Sequence, residues 1–361
     1  MLDFDALEAA GIANARERAA LIEYLDSLGF TAEEMVEAEK HGRLFGLAGD
    51  ALQRTGQPIY TRDEAARELG VSDEELIRAW HALGLSAPDT DRPIFSQMDV
   101  DGLASWVAMK AAVGDEPTMT LMRVLGASMA RIAEAGSTAI RLGMPDIQIE
   151  HSPDELTTAQ TYRRVGEFIP RLGALIDAVW RHHTISARTY FEGVVRDASA
   201  SVVCGIGFAD LTGFTALSQR LSATELSALL VEFGAAVGDV VLNDGGRIVK
   251  FIGDEVMWVS STPESLAKVA FDLVEHPGAR EADLQVRAGL GYGSVLAIGG
   301  DYFGTAVNLA ARLVAAAAPG QILVSTDVRD ELAEWPAIPQ EPLVLKGFDT
   351  PVPAYDLHLS R

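Results

Sequence analysis

The chain has 361 residues, of which 48% are hydrophobic, so it is long and apolar enough for two domains with their own cores. Its formal net charge of −23 disfavours nucleic acid and anionic lipid surfaces as partners, because both carry charge of the same sign. A single cysteine, Cys204, excludes a disulfide within the chain, and an N-terminus without a signal-peptide pattern favours a cytoplasmic protein. No uncharged apolar stretch is long enough to span a bilayer, so we do not expect a membrane-spanning protein.

The first half of the chain, up to about residue 190, has the patterns of an almost entirely helical region. Apolar residues recur at spacings of three and four around residues 122–139 and 165–179, as on one face of a helix. Pro170 lies inside the second pattern and predicts a kink or a break there.

Two capping-box sequences, at Thr61 and Ser72, predict the starts of two short helices, each followed by a glycine. This helix pair is similar to a helix-turn-helix. Its second helix begins with Asp73, Glu74 and Glu75, which would repel phosphate, so a small packing unit is favoured over DNA binding.

Beyond about Ser199, short β-rich runs alternate with helical ones, which predicts an α+β domain with helices on one face of a mainly antiparallel sheet. The predicted strands are 201–210, 247–251, 256–260, 285–292 and 321–325, and the predicted helices are 224–243, 263–274 and 306–318. We therefore predict an all-helical domain over residues 1–181, a joining segment over 182–198 and an α+β domain over 199–361.

Two aspartates end apolar, strand-like runs in this second half. Asp210 follows the run that begins at Val202, and Asp254 stands at the turn between two predicted strands. A carboxylate at a strand end is held rigidly yet reaches solvent, and two that converge suit a hard divalent cation such as Mg²⁺. Each aspartate also has an ordinary structural explanation, Asp210 as a helix cap and Asp254 as part of a Gly-Asp hairpin turn.

Three further segments carry polar groups that suit a nucleotide. Phe214 and Thr215 open a predicted helix, where free backbone N–H groups suit a phosphate. Asn308 and Arg312 are four residues apart and share one helix face, so they present an amide and a guanidinium to a sugar hydroxyl and a phosphate. Lys346 lies in the segment 345–348, ahead of a further short strand near the C-terminus. A polar helix face and a solvated turn are the structural alternatives for these segments.

Residues 201–358 resemble the catalytic domain of class III nucleotidyl cyclases along essentially their whole length. The motifs that carry the resemblance are Phe-Ala-Asp-Leu-Thr-Gly-Phe-Thr (208–215), Lys-Phe-Ile-Gly-Asp-Glu-Val-Met (250–257), Gly-Asp-Tyr-Phe-Gly (300–304), Val-Asn-Leu-Ala-Ala-Arg-Leu (307–313) and Lys-Gly-Phe-Asp-Thr-Pro (346–351). The resemblance implies a ferredoxin-like cyclase catalytic domain. The preceding half resembles, more faintly, the all-helical regulatory domain of soluble bacterial adenylate cyclases of this class.

The resemblance implies that the protein converts ATP to 3′,5′-cyclic AMP and pyrophosphate. Asp210 and Asp254 would bind two Mg²⁺ or Mn²⁺ ions per active site, which would activate the ribose 3′-hydroxyl and offset charge on the leaving pyrophosphate. Lys250 and Asp301 match the pair that reads the base. They favour ATP over GTP, because guanylate cyclases typically carry a carboxylate and a small Cys or Ser at these places.

The remaining roles follow from the same resemblance. Asn308 would orient the ribose, Arg312 would stabilise charge on the α-phosphate, and Lys346 would contact the terminal phosphates. An arginine that some family members place just before Asp301 is missing from this chain. Family geometry also implies a homodimer with two shared sites, in which one chain supplies the metal aspartates and the other the base-reading and Asn/Arg pairs.

Two alternatives remain for the catalytic half, namely a guanylate or dual-specificity cyclase and a catalytically weak or dead nucleotide-sensing module.

The N-terminal domain would dimerise and regulate, since its relatives can autoinhibit the catalytic dimer and respond to pH or fatty acids. Protonation of His182 and His183 in the joining segment would bias such a switch, although simple solvation is the favoured alternative. Met119, Met122 and Met129 form a stripe of methionines that could line a lipid pocket. Ordinary core packing is the default explanation for such a stripe.

Overall fold

The computed structural model describes residues 2–88, 90–143, 154–192, 201–281 and 284–358. The chain divides into two compact units, residues 1–182 and 183–361. Residues 193–198 of the predicted joining segment lie outside the described part, so the predicted domain boundaries stay predictions. Among the helices that are described, none has both the length and the apolar character that crossing a bilayer needs.

The first unit is helical in nearly all of its regular structure, as predicted. Its helices are α1 (Phe4–Ala10), α2 (Ala19–Ser27), α3 (Ala32–Lys40), α4 (Leu47–Asp50), α5 (Arg62–Leu69), α6 (Asp73–Ala82), α7 (Gln97–Val113), α8 (Asp115–Gly143), α9 (Glu155–Gly166) and α10 (Ile169–Glu192), with a 3-10 turn at Leu44–Gly46. The last helix, α10, continues past the boundary between the two units.

Capping boxes start several of these helices. Backbone N–H groups of Thr61 and Ser72 donate to the carboxylates of Glu64 and Glu75 at 2.9 and 3.1 Å, and the two hydroxyls accept from the backbone in return. Gly70 ends α5 with φ of 67°, a conformation that favours glycine. The predicted starts of α5 and α6 are therefore confirmed.

The break predicted at Pro170 is also present. Helix α9 ends at Gly166 and α10 begins at Ile169, so Pro170 lies in the first turn, where its missing N–H leaves no hydrogen bond unmade. Met119 and Met122 are buried in a core shared with Phe95 and Trp106, which agrees with core packing for these two methionines, whereas Met129 is half-buried and is not part of that core.

The second unit is built on one mixed, mainly antiparallel sheet, in the order β2-β3-β1-β4-β6-β8-β7, with β5 paired to β4. Its strands are β1 (Ser201–Thr212), β2 (Gly246–Ile252), β3 (Glu255–Ser260), β4 (Gln285–Ile298), β5 (Asp301–Phe303), β6 (Ile322–Val324), β7 (Ala337–Pro339) and β8 (Tyr355–Leu357). Its helices are α11 (Phe214–Ser218), α12 (Ala223–Asn243), α13 (Pro263–Val274), α14 (Pro277–Glu281), α15 (Thr305–Ala316) and α16 (Thr326–Glu331). The pairing of β4 with β6 is parallel, whereas β1 pairs antiparallel with both of its neighbours.

The helices cover both faces of this sheet, so the prediction of helices on one face was wrong. Leu290 of β4 packs in the core that contains α12 and α13, whereas the adjacent Gly289 and Gly291 face α15. A Cβ atom on Gly289 would lie 2.4 Å from the Ala310 carbonyl oxygen of α15. The glycines thus allow a helix to lie directly against the strand backbone on the second face.

Candidate active site

The predicted metal aspartates lie at the end of the central strand and at the adjacent hairpin turn. Asp210 lies opposite Glu255 on β3 and Arg287 on β4 in the register of the sheet. Asp254 directly precedes β3, and Gly253 makes the turn with φ of 67°. Strand pairing therefore brings Asp210 and Asp254 together across the sheet.

Burial and the proximity of carboxyl groups to one another raise pKa values at this hairpin. Burial raises the pKa of Asp254, and the negative charge of Asp210 raises it further. Burial also raises the pKa of Glu255 to about 7, with added contributions from the charges of Asp210 and Asp254. The site therefore holds carboxyl groups that repel one another's ionised forms.

This donor set fits a divalent cation, because carboxylate oxygens are hard ligands and the positive charge would relieve their repulsion. In the described part of the chain, no cluster of three or more His, Cys, Asp and Glu side chains is arranged as a complete metal site. Mg²⁺ commonly takes only one or two protein carboxylates together with substrate phosphates and water. The pair of aspartates meets that requirement.

Lys250 and Asp301 form an ion pair within one chain. Lys250 lies on β2, and Asp301 is the first residue of β5, which pairs with the far end of β4. Asp301 also accepts from the backbone N–H of Tyr302 at 2.8 Å, so its carboxylate is held in place. The two side chains are 37% and 30% exposed, which leaves both polar ends within reach of a ligand.

A second side-chain contact joins β2 and β5 next to this ion pair. Arg247 of β2 donates to the hydroxyl of Tyr302, which is buried. Since Arg247 precedes Lys250 by three residues and Tyr302 follows Asp301, this contact holds β2 beside β5 where the ion pair forms.

Asn308 and Arg312 lie on the exposed side of α15, as their spacing predicts. The Arg312 Nε donates to the backbone carbonyl of Lys346 at 3.2 Å, so the helix holds the loop that carries Lys346. Among the described residues, no hydrogen bond or ion pair joins Asn308 or Arg312 to the two aspartates. Within one chain, the predicted site residues therefore form three separate pairs, namely Asp210 with Asp254, Lys250 with Asp301, and Arg312 with Lys346.

Phe214 and Thr215 begin α11, a helix of five residues that follows the left-handed Gly213. Phe214 is half-buried and packs against the core, whereas Thr215 is exposed. Their predicted contact with phosphates stays a prediction.

Arg287 is a residue of the site that the sequence analysis missed. Its guanidinium donates to the Asp210 carboxylate from Nε at 2.9 Å and from Nη2 at 2.6 Å. The available signal was a single charged residue inside the otherwise apolar start of β4. The strand pattern alone did not show which residue would lie opposite it.

Comparison with known proteins identifies both units. The family described as adenylate and guanylate cyclase catalytic domain matches residues 197–355, and the adenylate cyclase regulatory domain family matches residues 4–184. The chain therefore belongs to the class III adenylate cyclase family, with a regulatory domain before the catalytic domain, and the resemblance drawn from the motifs is confirmed.

Two relatives by sequence cover most of this chain. An uncharacterized protein of Mycobacterium tuberculosis is 66% identical over 357 residues, which are 99% of this chain and 94% of that protein. An adenylate cyclase of Streptomyces coelicolor is 32% identical over 293 residues, which are 80% of this chain and 74% of that protein. The solved structure of the adenylyl cyclase CyaB from P. aeruginosa is 26% identical, with a TM-score of 0.42 over 45% of this chain and 96% of that one.

Proposed function

We propose that this protein is an adenylate cyclase that converts ATP to 3′,5′-cyclic AMP and pyrophosphate in a homodimer with shared active sites. The observation that carries the proposal is the ion pair between Lys250 and Asp301. An ammonium donor beside a carboxylate acceptor suits adenine, whose N1 accepts a hydrogen bond and whose exocyclic amine donates one. Family members that act on GTP typically have a different pair at these places.

Asp210 and Asp254 are proposed to hold two Mg²⁺ or Mn²⁺ ions with the triphosphate. Bound there, such ions supply Lewis acidity that lowers the pKa of the 3′-hydroxyl and offsets negative charge on the leaving pyrophosphate. Asn308 orients the ribose so that the 3′-oxygen faces the α-phosphorus. Arg312 stabilises the negative charge that develops on the α-phosphate during the attack.

The arrangement of the pairs supports shared sites. Asn308 and Arg312 are exposed on α15, without a hydrogen bond to the aspartates in the described residues, so a second chain has access to them. Every role is present in this one chain, which fits a symmetric homodimer with two sites.

The activity is tested with the purified full chain, Mn²⁺ and either ATP or GTP. We expect cyclic AMP from ATP, and little cyclic GMP from GTP. Equal use of both nucleotides would support a dual-specificity cyclase. Nucleotide binding with no cyclic product would instead support the alternative of a nucleotide-sensing module.

The shared site has its own test. Asp210→Ala and Arg312→Ala chains should each be inactive as homodimers, because each lacks one half of both sites. Mixed dimers contain one intact site, so mixing the chains should restore up to about a quarter of wild-type activity, as expected for random pairing with two-fold symmetry. No recovery in a sample in which mixed dimers are demonstrated would contradict the proposal.

We also propose that the N-terminal unit regulates the catalytic unit, in response to protons or a lipid. Support comes from its match to the regulatory family and from exposed apolar side chains on α8 and α10, including Leu125, Leu175 and Trp180. His182 and His183 are exposed on α10, which favours simple solvation, so the proposal does not depend on them. Cyclic AMP formation across pH is compared with and without residues 1–190. Identical pH profiles would exclude proton sensing by this unit.

A further inference from the structure

Arg287 is held at the junction between the metal aspartate and the end of α15. Two of its N–H groups donate to Asp210, and its Nη1 donates to the carbonyl oxygens of Ala315 and Ala317, both at 3.2 Å. The Arg287 and Asp210 side chains are only 25% and 19% exposed. Four contacts on a half-buried guanidinium fix both its position and its plane.

Both hydrogen bonds from Arg287 to Asp210 go to the same carboxylate oxygen. A guanidinium that binds a carboxylate side by side commonly uses both carboxylate oxygens. Here Nε and Nη2 both donate to Oδ2, so Oδ1 lies outside the guanidinium contact. Because the carboxylate is anchored through one oxygen, its second oxygen has a defined direction.

The geometry points to Arg287 as a positioning residue that holds Asp210 through Oδ2 and presents Oδ1 to the divalent cation. This inference rests on the proposed function, since it concerns the cation that Asp210 would bind. It also links Asp210 to α15, the helix that carries Asn308 and Arg312, through the carbonyl groups of Ala315 and Ala317. An outer partner of this kind limits the rotation of a metal ligand before the metal arrives.

A purely electrostatic role predicts the opposite effect on metal binding. The guanidinium is positive and close to the site, so its charge alone opposes a cation. Removal of that charge would then tighten cation binding, whereas loss of positioning would weaken it. The direction of the change therefore separates the two roles.

The test measures the affinity of the metal-free full chain for Mn²⁺, from the electron paramagnetic resonance signal of free Mn²⁺. We expect Arg287→Gln to raise the dissociation constant by about 10- to 100-fold, the usual effect of losing an outer partner of a metal ligand. Arg287→Lys keeps the charge but not the planar donor set, so it should also weaken binding. The matched control is Arg329→Gln, which removes a guanidinium that pairs with Asp330 on α16, and it should bind Mn²⁺ like the wild type.

An unchanged or lower dissociation constant for folded Arg287→Gln would overturn the inference. Thermal unfolding without metal shows whether each variant is folded. If Arg287→Gln does not fold, Arg287→Lys decides, because wild-type affinity in that variant would show that charge alone matters. In activity assays, the Mn²⁺ concentration for half-maximal rate should rise with little change in KM for ATP.

The two proposals fail in different ways. A wild-type chain that forms no cyclic AMP would contradict the proposed function, while the Mn²⁺ comparison would still report on Arg287. Normal cyclase activity with equal Mn²⁺ affinity in wild type and Arg287→Gln would contradict only the role of Arg287.

Discussion

The two units of this protein use their carboxyl groups in opposite ways. In the helical unit, a capping box lowers the pKa of Glu64, and a hydrogen bond from Lys110 lowers that of Glu75 to about 2. In the catalytic unit, burial and like charge raise the pKa values of Asp254 and Glu255. A lowered carboxyl pKa stabilises the folded chain at neutral pH, and a raised one destabilises it.

This difference in carboxyl pKa values arises from the local surroundings of the hairpin and not from the fold of the unit. Glu225 closes the capping box of α12 in the catalytic unit, and its hydrogen bonds with Ser222 lower its pKa as in the helical unit. The crowded carboxyl groups at the β2–β3 hairpin are thus a local feature that costs stability, and they are the groups that we propose as ligands for a cation.

The largest expected effect is that of Asp254→Asn. Loss of this proposed metal ligand should lower cyclase activity by about 1000-fold or more, given that a single charge-stabilising group is commonly worth 100- to 1000-fold. The thermal midpoint should stay the same or rise, because one of the repelling charges is removed. The matched control, Glu225→Gln, should lower the midpoint and retain activity. An Asp254→Asn protein that is less stable but active would contradict the idea that the hairpin carboxyl groups cost stability while the capping carboxyl groups provide it.

The next effect concerns the choice of base. Replacing Lys250 by Glu together with Asp301 by Cys should lower kcat/KM for ATP by at least about 100-fold, because the adenine edge would face unpaired or mismatched groups. The ratio of GTP to ATP use should rise in the same assays. The control is Lys268→Gln on α13, which breaks an ion pair with Asp244, the residue that follows α12, and it should leave that ratio unchanged. An unchanged ratio in the double variant would show that this pair does not read the base.

Close packing should affect the two units alike. A Cβ on Gly289 of β4 would meet α15, and one on Gly126 of α8 would lie 2.5 Å from the Leu83 carbonyl group. We expect either Gly→Ala change to lower the free energy of unfolding by about 1–3 kcal/mol. Gly136→Ala, in open space on α8, should instead raise it by up to about 1 kcal/mol. Denaturant unfolding measures all three, and equal effects at Gly126 and Gly136 would contradict the role of packing.

The smallest effect is the pH dependence of the helical unit. The folded-state pKa of Glu75 is about 2 and its ordinary value is 4.5, so the stabilisation is present above pH 4.5 and is lost as the pH falls towards 2. Glu75→Gln should therefore lower the thermal midpoint at pH 6, and the difference from wild type should shrink below pH 4.5. A difference that stays constant down to pH 3 would show that the ionised carboxylate is not the stabilising form.

The sequence by itself determined the features that depend on neighbouring residues along the chain. Capping boxes at Thr61 and Ser72, the break at Pro170 and the turn before β3 each follow from local hydrogen bonding or backbone geometry. The order of the motifs also identified the family, because each motif is a short contiguous stretch.

Only the tertiary structure decided which distant residues meet. Arg287 and Asp210 are 77 residues apart, and their contact depends on the antiparallel register between β1 and β4, which no local pattern specifies. The position of α15 on the second face of the sheet depends on its contact with Gly289 and Gly291, and the Arg312 contact with Lys346 depends on that position in turn. Caps, breaks and turns depend on residues that are adjacent in the chain, whereas strand register and helix placement depend on the packing of the whole unit.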